Sequence, residues 1–267
     1  MKKIFVILAA VLSICSCGRT PKLVILHTND THSHLEPYRS GEKRGHGGII
    51  ERAAFVDSVR NAVGESRVLL LHVGDMVQGS SYFTEFKGEL ETDMVNAMRY
   101  DCVTLGNHEF DNGIEALGWM LGRINCPIVC ANLDLSTFEA GKYVSPYTVI
   151  EKGGIKIGII GFAPKLKVYV SRVVADRVPQ FDSFEVANRY AAELKAQKCD
   201  LIIALSHMGY EEDQEFIKKT RNIDIVVGGH SHTFLDGFTY VSNLDGKKIP
   251  IIQDGCHGLE MGEIRVY

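Results

Sequence analysis

Thr104-Leu105-Gly106-Asn107-His108-Glu109-Phe110-Asp111 follows a short apolar run, Cys102 to Leu105, which reads as a strand behind the end of a helix over 94–101. A strand ending in Gly-Asn-His puts polar, metal-competent or proton-competent side chains at its carboxyl end, where open α/β sheets collect their ligands. Taken alone, Gly-Asn is ordinary turn chemistry and a lone histidine is commonly structural.

The same grammar recurs along the chain. Leu23 to Asp30 is a β-branched apolar strand running into Asp30-Thr31-His32. In extended backbone, residues i and i+2 point the same way, so this carboxylate and imidazole can share one ion. His34, two residues on, is expected to be exposed. Residues 67–73 form a second strand ended by Gly74-Asp75, the glycine allowing close approach of backbone and ion. Residues 200–206 form a strand running into His207, and 223–227 one running into Gly228-Gly229-His230-Ser231-His232. Five buried strands ending in imidazole, carboxylate or carboxamide groups suit borderline first-row metals better than magnesium, which prefers oxygen alone. Seven ligands exceed one tetrahedral shell but fit two ions sharing a bridging carboxylate.

Around these lie helical patterns over 49–62, 90–99, 114–124, 184–196 and 212–220. A strand is expected over 127–131, a hairpin joins 147–151 to 155–162, and strands over 249–253 and 261–266 close the chain. Gly158-Ile159-Ile160-Gly161 lacks the full dinucleotide fingerprint and is strand only. The fold class is therefore α/β.

Leu26-His27-Thr28-Asn29-Asp30-Thr31-His32, Gly74-Asp75, Gly106 to Asp111, Ser206-His207 and Gly229 to His232 resemble the calcineurin-like metallophosphoesterases. Within them, the wording around Asp30 and His108 is similar to the catalytic domain of bacterial 5'-nucleotidases and UDP-sugar hydrolases, over 23–266. The resemblance implies two mixed β-sheets packed as a sandwich and flanked by helices, in four layers, α/β/β/α. It implies that Asp30, His32 and His232 hold one divalent ion (zinc, manganese or similar). Asn107, His207 and His230 hold the other, and Asp75 bridges them. His108 is then a non-ligand catalytic histidine oriented by Asp111. The implied reaction is hydrolysis of nucleoside 5'-monophosphates by a hydroxide bridging the ions. No covalent phosphoenzyme is implied, and no Gly-x-Ser-x-Gly elbow is present.

Composition sets bounds on this. The 267 residues are 45% hydrophobic and 23% charged, ordinary for a globular domain. The formal charge of -4, about -6 without Lys2 and Lys3, offers no basic field for a nucleic-acid polymer. Met1-Lys2-Lys3 and the apolar run Ile4 to Ile14 read as a signal peptide over 1–16, too short to span a bilayer. Ser16-Cys17-Gly18 resembles a bacterial lipobox with Cys17 lipidated; Cys15 fits worse, because bulky Ile14 would precede it. Residues 17–22 then tether the domain, 23–267, to a membrane in the cell envelope, on the periplasmic face since no acidic run follows. The alternative is an ordinary cleaved signal and a soluble product. The five cysteines after Cys17, namely Cys102, Cys126, Cys130, Cys199 and Cys256, match no zinc knuckle and are expected as buried free thiols.

Residues 253–258 and the last strand match the end of the family's catalytic domain. The second, base-stacking domain of secreted 5'-nucleotidases is not expected within this sequence, so a separate nucleoside-binding protein is the expected partner. Two rival functions stand: phosphodiester or pyrophosphate hydrolysis, as of cyclic nucleotides or UDP-sugars, and a lipid-anchored metal binder without turnover. The presence of His108 and Asp111 speaks against the last.

Overall fold

The computed structural model describes residues 20–267. The segment read as a signal peptide, the candidate lipidation residue Cys17 and the start of the expected tether therefore lie outside the described residues. Twelve strands form two six-stranded sheets. The first holds β1 (Leu23–Thr28), β2 (Val68–His72), β3 (Cys102–Thr104), β4 (Ile128–Val129), β5 (Val144–Ser145) and β12 (Gly262–Val266). Its order is β12-β1-β2-β3-β4-β5, and only the β12–β1 pairing is antiparallel. The second holds β6 (Tyr147–Lys152), β7 (Ile155–Phe162), β8 (Leu201–Ser206), β9 (Ile225–Gly228), β10 (Thr239–Ser242) and β11 (Lys248–Ile252). Its order is β10-β11-β9-β8-β7-β6, antiparallel at the two outer pairs and parallel between.

Alternation along the central strands builds the layers. Leu23 and Ile25 of β1 and Leu69 and Leu71 of β2 face Ile157, Ile159, Ile203, Leu205 and Val227 of the other sheet in one inter-sheet core. Their neighbours Val24, Leu26, Val68 and Leu70 turn outward to α1 (Ile49–Val63), α3 (Glu89–Ala97) and α4 (Ile114–Leu121). Ile202, Ala204 and Val226 pack on α7 (Ser183–Ala196) and α8 (Tyr210–Lys218). Strands covered on both faces need continuous apolar runs, as this sequence has. The expected sandwich of two mixed sheets flanked by helices is the observed fold.

The differences are local. α1 ends at Gly64, whose φ of 93° no ordinary residue adopts comfortably. The edge strand β10 carries the short run Thr-Tyr-Val-Ser, half exposed throughout, and departs from expectation. So do α2 (Ser81–Phe86), which Ser80 caps by accepting from the Tyr82 amide, and the single turns α5 (Leu166–Tyr169) and α6 (Arg172–Ala175). Elements of one turn or four residues leave too little periodicity to read. α8 begins two residues early, at Tyr210, and β9 two residues late, at Ile225. Pro21 is buried and the Lys22 amide donates to the Val266 carbonyl, so the end of the tether already lies on the domain. Among the described residues no helix is long and apolar enough to cross a membrane.

Candidate metal centre

β1, β2 and β3 are neighbours in one sheet, and β8 and β9 in the other. Their carboxyl ends open onto a single place between the sheets. The register levels them: Thr28 pairs with His72, and Ser206 with Gly228. Loops separated by up to 200 residues of chain thus leave from the same height.

Donor atoms converge there in three overlapping groups, Asp30–His32–His232, His32–Asp75–His108 and Asp75–His207–His230, each with its ligand atoms within 4.8 Å of one another. His32 Nε2 and His232 Nε2 stand 2.9 Å apart. His232 Nε2 lies 3.3 Å from Asp30 Oδ1, and His207 Nε2 lies 3.0 Å from Asp75 Oδ2. Adjacent nitrogen ligands at about 2.1 Å from a cation are themselves roughly 3 Å apart, so this spacing is that of a coordination shell. Asn107 Oδ1 is buried with no hydrogen-bond partner, and Asp30 Oδ1 and His207 Nε2 are buried facing only other members of the cluster. Unpartnered buried acceptors are costly, and divalent cations would satisfy them. The donor set fits.

The electrostatics point the same way. Burial alone would depress the His207 imidazole, but Asp75 and Asp30 outweigh it and lift it to about 10. A hydrogen bond with Asp30, then contact with Cys256, raises His232 to about 10 as well. Burial would push both carboxyls up, yet His207 holds Asp30 and Asp75 below the ordinary carboxylate range. Both carboxyls are thus held ionised, the form that binds a cation.

Backbone geometry and neighbours hold the donors in place. Asp30, His32, Asp75, His230 and His232 all adopt left-handed backbone, with φ between 47° and 75°. Such strain in non-glycine residues persists only where the surroundings enforce it. The enforcement is visible. Glu109, fully buried, accepts from the amides of Asp75 (3.0 Å), Met76 (2.8 Å) and Gly106 (2.6 Å), clamping the β2 and β3 loops together. Asn29 donates to Asp30 Oδ2 at 2.7 Å and to the Gly255 carbonyl, and the His230 amide donates to the same Asp30 oxygen at 2.9 Å. Gln253 accepts from the Thr233 amide and donates to the Gly229 carbonyl. His207 Nδ1 donates to the Val73 carbonyl, which leaves Nε2 for the centre. A Cβ on Gly106 would fall 2.1 Å from Asp75 Oδ1, so only glycine fits there.

Six of the expected ligands, Asp30, His32, Asp75, His207, His230 and His232, come together here with His108 and its partner Asp111, while Asn107 stands beside His108 with its Oδ1 buried and unpartnered. His108 Nδ1 bonds Asp111 Oδ2 at 2.7 Å, and that bond, ahead of burial, raises the His108 pKa. His108 also reaches ligating distance of Asp75 and His32, but its partner Asp111 and its half exposure set it apart. Asn29, Glu109 and Gln253 had no role assigned from the sequence. The first two stand inside the motifs themselves, but buried polar partners leave no periodic signal. His34 departs from expectation: it is half-buried and stacked on His257, ring centroids 3.9 Å apart. As expected, Cys102, Cys130, Cys199 and Cys256 are buried and free, and Cys126 is free and half-buried.

Residues 23–234 match the family described as calcineurin-like phosphoesterase. The chain is 36% identical to the 5'-nucleotidase of Bos taurus over 93% of its length, and 35% identical to that of Homo sapiens over 92%. It spans about half the length of these relatives, 47% and 46%. The 5'-nucleotidase precursor of Thermus thermophilus superposes with a TM-score of 0.83 at 34% identity, over 90% of this chain and 50% of that one. The NAD nucleotidase of Haemophilus influenzae does so with 0.81 at 31% identity, over 90% and 46%. With the fold, the centre and these likenesses in agreement, the chain belongs to the calcineurin-like phosphoesterases and is a metal-dependent phosphoesterase hydrolase related to the 5'-nucleotidases.

Proposed function

We propose that this chain hydrolyses nucleoside 5'-monophosphates to nucleoside and phosphate, using two divalent cations. The carrying observation is that Asp75 belongs to two donor groups at once, one with His207 and His230 and one with His32 and His108. Asp30, His32 and His232 would hold one ion; Asn107, His207 and His230 the other; Asp75 would touch both. The cations would neutralise charge on the phosphate and lower the pKa of attacking water. The chain's own residues do the rest. His108 donates Nδ1–H to Asp111, so its Nε2 is free to hold a proton for the leaving alkoxide, a contribution of roughly 10²–10⁴ in rate. Asp111 fixes the ring and favours its charged form.

A second reading is pyrophosphate cleavage, favoured by the likeness to the NAD nucleotidase of Haemophilus influenzae. A panel of AMP, a cyclic nucleotide, UDP-glucose and NAD, run after chelation and with added Mn²⁺, Zn²⁺ or Co²⁺, separates the two. Release of phosphate from AMP in metal-restored protein only is the expected result; full activity without metal overturns the proposal.

Two further elements belong to it. Lipidation of Cys17 would anchor the protein to the periplasmic side of an envelope membrane; Cys17→Ala, and not Cys15→Ala, would then release it from the membrane fraction. Further nucleoside contacts would come from outside residues 23–267, from a separate protein seated over the open side of the centre. Lipid anchoring would raise the effective concentration of two such partners. Purified chain is therefore expected to gain AMP turnover when that partner is added.

A further inference from the structure

A cavity of about 1030 Å³ lies on the His230 side of the centre, between α8 and the segment that carries α5 and α6. Its size is at the upper end of small-molecule sites, roughly 300–1,000 Å³. Tyr169, on its wall, sets its ring edge-on to the His230 ring with centroids 4.3 Å apart. Met208, also on the wall, follows His207 directly. On the α8 side, a Cβ added to Gly209 would stand 3.5 Å from His230 Cδ2 and 3.4 Å from Glu212 Oε2. The imidazole of the centre and a carboxylate of the cavity thus flank one glycine.

The lining has a definite chemistry. Tyr169 and Phe181, both on this wall, are 47% and 48% exposed. Exposed aromatic surface concentrated beside a reactive centre marks a binding site more often than chance surface. Glu211 and Glu212 form no ion pair among the described residues, and Asp176 joins them on the wall. Lys219 is occupied over the Phe184 ring at 4.4 Å, leaving Lys165 and Lys167 as the other cations. This balance disfavours a second phosphate. It suits a neutral group with a flat apolar face and several hydroxyl or amine donors.

We infer that this cavity receives the nucleoside of a substrate whose phosphate is held at the metal centre, with the base against Tyr169 and Phe181. The inference rests on the proposed phosphatase reading and deepens it: the chain carries a nucleoside contact of its own, before any partner is added. Carboxylates on α8 are placed to accept from sugar hydroxyls or exocyclic amines.

The test compares AMP with ribose 5-phosphate, which keeps the leaving alkoxide and deletes the base. The unpartnered chain should favour AMP in kcat/KM by about tenfold, the scale on which one stacked base is held. Phe181→Ala and Tyr169→Ala should bring that ratio towards one. Phe181 lies outside the metal centre, so its variant separates loss of stacking from loss of metal. Adenosine, which lacks phosphate, is titrated in parallel into chelator-treated protein, where saturable binding weakened several-fold in Phe181→Ala is expected. No preference for AMP in the unsubstituted chain, or a preference that survives both substitutions, overturns the inference. If neither ester is hydrolysed, the phosphatase reading fails and the adenosine titration alone decides: absent or unaltered binding overturns the site.

Discussion

The backbone amide of His108 donates to Asp75 Oδ1 at 2.9 Å, so the histidine proposed to carry the proton is tied through its own main chain to the carboxylate shared between donor groups. The opposite oxygen, Asp75 Oδ2, faces His207 Nε2 at 3.0 Å. One carboxylate therefore holds the proposed catalyst and a candidate metal ligand in place together.

Asp75→Asn is accordingly the most damaging single ligand change. A carboxamide keeps the size but offers one acceptor oxygen and no charge, and its NH₂ would face either His207 or the His108 amide. We expect loss of bound metal and a fall in kcat/KM of at least about 10³, on the scale for losing electrostatic stabilisation of the transition state. Metal content by elemental analysis, measured beside turnover, checks this.

His108 and His207 should separate cleanly. His108→Ala should retain its metal and lose kcat by roughly 10²–10⁴, since the group lost acts on the proton. His207→Ala should lose metal, because Nε2 is fully buried among Asp75 and Asp30 and no other donor replaces it. Metal loss from His108→Ala instead would make His108 a ligand.

Asp111→Asn should move the pH profile. The hydrogen bond to Asp111 raises His108 above its ordinary pKa, so the protonated acid persists to higher pH. Without the carboxylate, the folded pKa drops and the acid is lost earlier as pH rises. The alkaline limb of kcat should shift to lower pH, with metal content unchanged. A limb that does not move would remove His108 as the acid.

Asp213 gives a prediction about stability. Its carboxyl is fully buried, accepts from Ser206 Oγ at 2.5 Å and leaves Oδ2 without a partner. Burial raises its pKa to about 8 against 3.8 for the ordinary group. The folded state holds this proton more tightly, so the stability this group contributes is fully present below about pH 4 and is lost as pH rises towards 8. Asp213→Asn keeps an acceptor for Ser206 and cannot ionise. Between about pH 5 and 8 its urea midpoint should fall less than that of the unsubstituted chain; parallel falls would show that Asp213 does not titrate there.

Much of this protein was legible in its linear sequence. Doubly buried strands need unbroken apolar runs, and β1, β2, β8 and β9 announce themselves in Leu23 to Leu26, Val68 to Leu71, Ile202 to Leu205 and Ile225 to Val227. The residues that end them, from Asp30 to His232, could be picked out because the same kind of ending recurs after five such runs, which turn chemistry or structural histidines alone do not explain. What sequence could not decide was which donors meet. That depended on β1 to β3 and β8 to β9 being neighbours within separate sheets and on the sheets facing each other, a matter of packing across the inter-sheet core. Nor could it show that Glu109 clamps two loops, that Asn29 and the His230 amide fix one oxygen of Asp30, or that His34 turns inward onto His257. Glu109 with Asp75, Asp30 with His230 and His34 with His257 join residues far apart in the chain, and a buried hydrogen bond leaves no period or composition to read. The cavity beside His230 belongs to the same class: α5 and α6 are single turns, and only their position over α8 makes Tyr169 and Phe181 walls of one space.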